Sequence, residues 1–107
     1  MIRQKEKKRI VVTGMGTINA LAGNVEQFAE ALFAGRCGIG PIDLFDTTEF
    51  RTHKGGQVKH FDARGRIPAE FSIKRMSRAD QLAFAATIEA LVDAGAGQPV
   101  RHCAARG

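Results

Sequence analysis

No apolar run in this 107-residue chain is long enough to cross a bilayer. The longest, residues 82–92, is about half of the ~20 residues that a spanning helix requires, and Thr87 and Glu89 interrupt it. No transmembrane anchor is expected. A secretory signal is missing too: Arg3, Lys5, Lys7, Lys8 and Arg9 make the amino terminus basic, but no leucine-rich core or small-residue cleavage site follows them. The expected location is cytoplasmic. Cysteine is scarce, and Cys37 and Cys103 fall in no Cys-x-x-Cys or Cys/His ligand spacing, which argues against a zinc knuckle or a disulfide scaffold. Reduced thiols are expected. Internal repeats are absent. Acidic residues are outnumbered, 11 against 16 Lys and Arg, and the net charge of +5 favours acidic partners. Charge alone does not choose among nucleic acid, anionic lipid and acidic protein.

What is present fits one small globular domain, with 44% hydrophobic and 25% charged residues. Residues 1–8 read as a solvated basic leader, without the interleaved aromatic residues or Gly-Arg repeats of a nucleic-acid arm. Arg9-Ile10-Val11-Val12-Thr13 is a β-branched run closed by Gly14-Met15-Gly16, which predicts a short strand entering a tight turn. Both faces of that strand are apolar, so it should be central and covered on both sides. Asn24 then caps a predicted helix with Gln27 three residues on; Val25, Phe28, Leu32 and Phe33 recur at helical spacing until Gly35 stops it. The stretch 37–42 is expected to be a glycine-punctuated loop, residues 43–50 have no clear period, and only 56–61 look weakly strand-like.

Ser77 and Asp80 form a capping-box pattern at the start of a second helix, rich in Ala and Leu over 81–94 and ended by Gly95. Glu89 is the only charge between Leu82 and Val92, so this helix is apolar around most of its circumference and needs neighbours on several sides. One strand, one helix and loops are too few to wrap it; the covering layers are expected to belong to further sequence. Residues 96–107 read as a tail without structure.

Three constellations could carry chemistry. Gly14-Met15-Gly16 after a strand suggests a dinucleotide turn, but Asn19 stands at the third glycine position, the helix begins late, and Glu30 lies inside that helix. A strand-ending turn is the expectation. Cys37, Cys103, His53, His60 and His102 could supply metal ligands or a Cys/His pair, yet neither thiol starts a helix that would stabilise a thiolate. Lys74 and Arg75 with Arg78, preceded by Arg64 and Arg66, form a basic cluster before the second helix. It reads either as a solvated helix end or as a docking patch for an acidic protein.

Taken in order, Arg9-Ile10-Val11-Val12-Thr13-Gly14-Met15-Gly16, Leu32-Phe33-Ala34-Gly35-Arg36-Cys37-Gly38-Ile39-Gly40-Pro41-Ile42, Phe45-Asp46-Thr47, Arg75-Met76, Ala85-Ala86 and Ala90-Leu91-Val92-Asp93-Ala94-Gly95 resemble the amino-terminal end of the β-ketoacyl-[acyl-carrier-protein] synthases. These are the condensing enzymes of fatty acid and polyketide synthesis, and the similarity covers about residues 8–95. The resemblance implies an α/β fold: part of a thiolase-like fold, the first strand and flanking helices of an α-β-α-β-α layered architecture, with residues 9–95 as the amino-terminal part of the synthase domain. It implies a decarboxylative condensation of acyl and malonyl thioesters through a cysteine nucleophile and two histidines. No residue here matches those three, so no catalytic residue is assigned and the chain alone is expected to be inactive. The resemblance further implies carrier-protein thioesters as substrates with no cofactor or metal, acyl carrier protein as partner, a homodimer in the full-length family, and no nucleic-acid or membrane partner. Lys74 and Arg75 fall where basic residues help dock the carrier protein. Two alternatives stand beside this: a non-catalytic subunit of the chain-length-factor type, and a small basic nucleic-acid-binding protein.

Because the second helix lacks covering layers, the purified chain is expected to melt without a sharp cooperative transition. Differential scanning calorimetry of the monomer checks this, and a narrow two-state peak would contradict it.

Overall fold

Helix α1 (Val25–Phe33) starts where Asn24 leaves extended backbone and its side-chain oxygen accepts the N–H of Gln27 at 2.8 Å. Gln27 reaches back one residue beyond the cap, its Oε1 accepting the Gly23 N–H at 3.4 Å. Helix α2 (Arg78–Asp93) starts with the reciprocal pair expected of its sequence: Ser77 Oγ accepts from Asp80 N–H, and Asp80 Oδ2 accepts from Ser77 N–H. Both helices also stop in the same way. Gly35 and Gly95 adopt φ of +71° and +72°, a left-handed turn that favours glycine. The Gly35 N–H donates to Leu32 O and the Arg36 N–H to Ala31 O, while Gly95 and Ala96 repeat the pattern on Val92 O and Leu91 O.

The computed structural model describes residues 5–96. Half of the leader, residues 1–4, and nearly all of the tail, residues 97–107, therefore lie outside the described residues. Between the helices, strands β1 (Ile39–Pro41) and β2 (Lys54–Gly56) pair antiparallel with Ile39 opposite Gly56, Gly40 opposite Gly55 and Pro41 opposite Lys54. The loop expected over 37–42 thus contains a strand, and the weak strand expected at 56–61 lies two residues earlier and is shorter. Side chains fix this register more than strand propensity does. Gln57 Oε1 accepts the N–H groups of both Asp43 and Leu44 while its amide donates to Pro41 O. Lys59 pairs with Asp43 at 3.0 Å and holds that exposed carboxyl below the usual carboxylate range. The pairing is therefore present at neutral pH and is lost as pH falls through the lowered value of Asp43.

The predicted first strand is the main departure. Among the described residues no strand pairs with residues 9–13, and Ile10, Val11 and Val12 are 94%, 72% and 82% exposed. Their β-branched side chains favour extended backbone, but a strand also needs a neighbour to take its N–H and C=O groups. No described segment supplies that neighbour. The α/β character therefore rests on two helices and a two-stranded ribbon, a partial version of the layered fold.

Immediately after this run the chain is held tightly. A Cβ placed on Gly14 would collide with Ala90 O and lie 2.7 Å from Ala94 N; on Gly16 it would collide with Ala86 O and lie 2.8 Å from Ala90 N. Glycine lets the segment lie directly on the backbone of α2, along a row made by Ala86, Ala90 and Ala94. Two carboxylates on the same helix pin it there. Asp93 Oδ2 accepts the Met15 N–H at 3.0 Å and Glu89 Oε2 accepts the Thr17 N–H at 3.1 Å. The match is geometric: two residues of extended chain advance about 6.6 Å and four residues of helix about 6 Å, so donors at 15 and 17 meet acceptors at 93 and 89. Glu89 Oε1 also accepts the Val25 N–H at 2.7 Å, one of the orphan donors at the start of α1. One side chain thereby ties the incoming segment, α1 and α2 together.

Large apolar side chains are mostly left out of the interior. Among the described residues the buried apolar ones are Ala31, Ala63, Ile67 and Ala85, whereas Phe33 is 92% exposed. Phe71 packs on Phe84 with ring centroids 4.7 Å apart, fixing the approach to α2. Helix α2 is partly covered, its Ala83, Thr87 and Val92 lying exposed.

Gly16→Ala should release the pinned segment, because the added methyl meets backbone that has no rotamer to move; the cost is ~1–3 kcal/mol. Amide hydrogen exchange at Met15 and Thr17 reads the effect, with Gly40→Ala, at a glycine with open space around it, expected to leave both amides unchanged.

Candidate functional site

Lys74 and Arg75 lie in a 3-10 turn, Ile73–Arg75, directly before α2. The turn closes through Arg75 N–H to Ser72 O and Met76 N–H to Ile73 O. Its exposure alternates in blocks: Ile73 and Met76 are half-buried, while Lys74 and Arg75 between them are exposed. Gln81, one turn into α2, donates its side-chain amide to Met76 O at 3.2 Å and to Ile73 O at 3.5 Å. The helix thus holds both carbonyls that flank the basic pair. Lys59–Asp43 is the one ion pair among the described residues, so neither Lys74 nor Arg75 is neutralised by a carboxylate there.

The wider basic cluster divides into two roles. Arg66 is half-buried and donates to Gly23 O at 2.9 Å, joining the segment before α1 to the 3-10 turn Ala63–Gly65. Arg78 donates to Val58 O at 2.6 Å. Both guanidinium groups tie backbone segments together, whereas Lys74, Arg75 and Arg64 project from the surface. Sequence proximity had placed all five in one cluster; only the hydrogen bonds separate those that hold the fold from those that face outward.

The Gly14-Met15-Gly16 turn is poorly suited to a dinucleotide phosphate. A phosphate on a glycine turn needs free N–H groups and positive potential; here the Met15 and Thr17 N–H groups already meet the carboxylates of Asp93 and Glu89. Asn19 builds a turn, its Oδ1 accepting from Leu21 and Ala22 N–H and its Nδ2 donating to Thr17 Oγ1. The role of Glu89 and Asp93 is what sequence reasoning missed. Their only signal was four-residue spacing on a helix otherwise poor in charge.

The remaining candidates do not converge. Cys37 is exposed, its Sγ 3.9 Å from Ile39 O, and lines an open cleft of about 750 Å³ between residues 18–24 and the ribbon. His53 Nδ1 lies 3.1 Å from Thr47 Oγ1, and His60 lines the same cleft as Cys37 without a hydrogen bond to it. No group of three His, Cys, Asp or Glu among the described residues could hold a metal ion. His102 and Cys103 lie outside the described residues. No described helix is long and apolar enough to cross a membrane.

The family model described as "Beta-ketoacyl synthase, N-terminal domain" matches residues 7–103. The 3-oxoacyl-[acyl-carrier-protein] synthase 2 of Synechocystis sp. is 40% identical over 89 residues, covering 83% of this chain and 21% of the relative. The granaticin polyketide putative beta-ketoacyl synthase 1 of Streptomyces violaceoruber is 39% identical over 90 residues, 82% of this chain and 21% of the relative. Among solved structures, the ishigamide ketosynthase/chain length factor superposes with a TM-score of 0.71 at 38% identity, covering 79% of this chain and 21% of that one. The chain thus spans about a fifth of the length of the relatives it matches.

Ser77→Ala should fray the first turn of α2, because a lost N-cap costs ~1 kcal/mol. Amide exchange at Asp80 should accelerate about fivefold, and unchanged exchange would show that the basic turn is held by Gln81 alone.

Proposed function

Because the chain belongs to the β-ketoacyl synthase family, through its amino-terminal domain, we propose that it forms the opening segment of a 3-oxoacyl-[acyl-carrier-protein] synthase and presents Lys74 and Arg75 to the carrier protein. The observation that carries the reading is the family match over residues 7–103, together with about 40% identity to a synthase of that name over most of the chain. The reaction of the whole protein is then the decarboxylative condensation of acyl and malonyl thioesters in fatty acid or polyketide synthesis. We assign this segment no catalytic group: no described cysteine or histidine is set against a base or a helix amino terminus that would activate it. Its substrates reach it as carrier-protein thioesters, and the reading calls for no cofactor. The full protein is proposed to act as a dimer.

The docking role follows from charge and rigidity. Two long cations on a turn fastened to α2 stand at the positive end of the helix, where the aligned peptide dipoles add to their field. An acidic partner is steered toward such a corner and held by exposed, solvent-screened contacts. A second reading, a non-catalytic subunit of the chain-length-factor type, draws on the likeness to a structure whose name joins both kinds of chain. Both readings use the same docking turn.

In a full-length synthase carrying this segment, the double change Lys74→Glu and Arg75→Glu should weaken carrier-protein binding up to about thirtyfold at low ionic strength, two exposed contacts contributing ~0.2–1 kcal/mol each. At high salt the difference should shrink toward zero. The change should not unfold α2, since acidic residues near a helix amino terminus are favourable. Titration calorimetry at two salt concentrations checks this, and equal affinities at low salt would remove the docking role.

A further inference from the structure

The stretch 71–76 is tied to α2 at two points. Phe84 makes the first, its ring packed on Phe71 with centroids 4.7 Å apart. Gln81 makes the second, its side-chain amide donating to Met76 O at 3.2 Å and to Ile73 O at 3.5 Å. Residues 81 and 84 are three apart and so share a helix face. Between these points the turn has little of its own to hold it. Arg75 N–H to Ser72 O and Met76 N–H to Ile73 O each close a 3-10 ring, whose hydrogen-bond geometry is poorer than that of an α-turn. Ser72, at the start, makes no side-chain capping bond among the described residues. The Ile73 carbonyl belongs to the peptide that leads into Lys74, so the Gln81 amide fixes a peptide plane directly at the basic pair.

The helix itself does not need that side chain. The Gln81 backbone N–H donates to Ser77 O at 3.0 Å, and the Ser77–Asp80 pair closes the start of α2. Both side-chain N–H donors of Gln81 go to the turn instead. We propose that Gln81 is a positioning residue for carrier-protein docking: it locks the turn that bears Lys74 and Arg75, so that the backbone is ordered before the partner arrives. The inference rests on the docking reading above and adds to it an uncharged residue that acts through the basic pair. Lys74 and Arg75 are exposed while Ile73 and Met76 beside them are half-buried, so the turn faces its charge outward and its anchors toward α2. A basic pair on a loose loop would steer an acidic partner as well, because steering depends on charge. It would hold that partner less firmly, because the loop would have to be ordered in the complex.

The test uses a full-length synthase carrying this segment, with acyl carrier protein as the ligand. Gln81→Met keeps the length and helix propensity of the side chain and removes both donors. It should weaken binding about three- to tenfold at low ionic strength. Although the change is uncharged, the loss should fade at high salt, because it acts through charges that salt screens. It should also vanish in a Lys74→Ala and Arg75→Ala background, where no pair is left to position. Amide exchange at Arg75 and Met76 should quicken in Gln81→Met, while exchange at Ala85 and Ile88 within α2 should stay as it was. Undiminished affinity in Gln81→Met, a loss that persists at high salt, an equal loss with and without the basic pair, or faster exchange at Ala85 and Ile88 would each overturn the positioning role. If Lys74→Ala and Arg75→Ala together leave affinity at low salt unchanged, the docking reading falls and this inference with it. If that double variant weakens binding and Gln81→Met does not, docking stands and positioning alone falls.

Discussion

Close contact between a glycine-alternating segment and one face of α2 governs the arrangement of this chain. The contact is possible only because Gly14 and Gly16 have no side chains and Ala86, Ala90 and Ala94 have minimal ones, so that backbone meets backbone. Glu89 and Asp93 then convert proximity into a fixed register by accepting the Thr17 and Met15 N–H groups. Hydrogen bonds to a charged acceptor contribute ~1.5–3 kcal/mol where solvent is partly excluded. Glu89 is the better shielded of the two and makes two such bonds, the second to the first residue of α1. A glutamine there would present one oxygen and one N–H₂ group to two donors, and one donor would lose its partner. The positions of α1, of the incoming run and of the basic turn ahead of α2 all follow from this helix.

The same contact explains which parts of the fold could be read from sequence. Caps are local: Asn24 with Gln27, Ser77 with Asp80, and the glycines at 35 and 95 act within a few residues, and each is found where the pattern placed it. The contact of Glu89 with Thr17 spans 72 positions, and no local periodicity encodes a partner at that distance. Glu89 read as an interruption of an apolar helix, whereas it is the residue that joins three segments. The ribbon was hidden for a different reason. Its strands are three residues each and rich in glycine, so they carry neither alternation nor β-branched density, and their register comes from the Gln57 amide and the Lys59–Asp43 pair. The run at 9–13 has the opposite character, with strong intrinsic preference and no partner among the described residues.

Legibility of the candidate site was likewise partial. Lys74 and Arg75 stood out because they precede a capped helix, and the structure places both on an exposed turn. Nothing in the sequence distinguished them from Arg66 and Arg78, which carry the same charge at similar spacing. The distinction is one of reach: those two guanidinium groups meet the carbonyls of Gly23 and Val58, so they keep their charge but have N–H donors engaged in holding backbone together. A count of basic residues overstates the side chains free to reach a partner.

Taken together, these contacts place most of the long-range order of the chain in polar bonds to backbone rather than in apolar burial. Among the described residues the buried apolar set is three alanines and one isoleucine, too little to bear the conformational entropy of a domain by itself. Carboxylate pins, arginine ties and helix caps can fix geometry without a large core, because each acts on a few backbone groups and does not need a second layer. Apolar surfaces cannot be satisfied in that way; Ile10, Val11, Val12 and Phe33 gain only when water is removed from around them. The chain therefore separates two tasks that most domains combine. Its polar contacts set the direction in which the apolar run and the basic turn are presented, and among the described residues little apolar burial accompanies them.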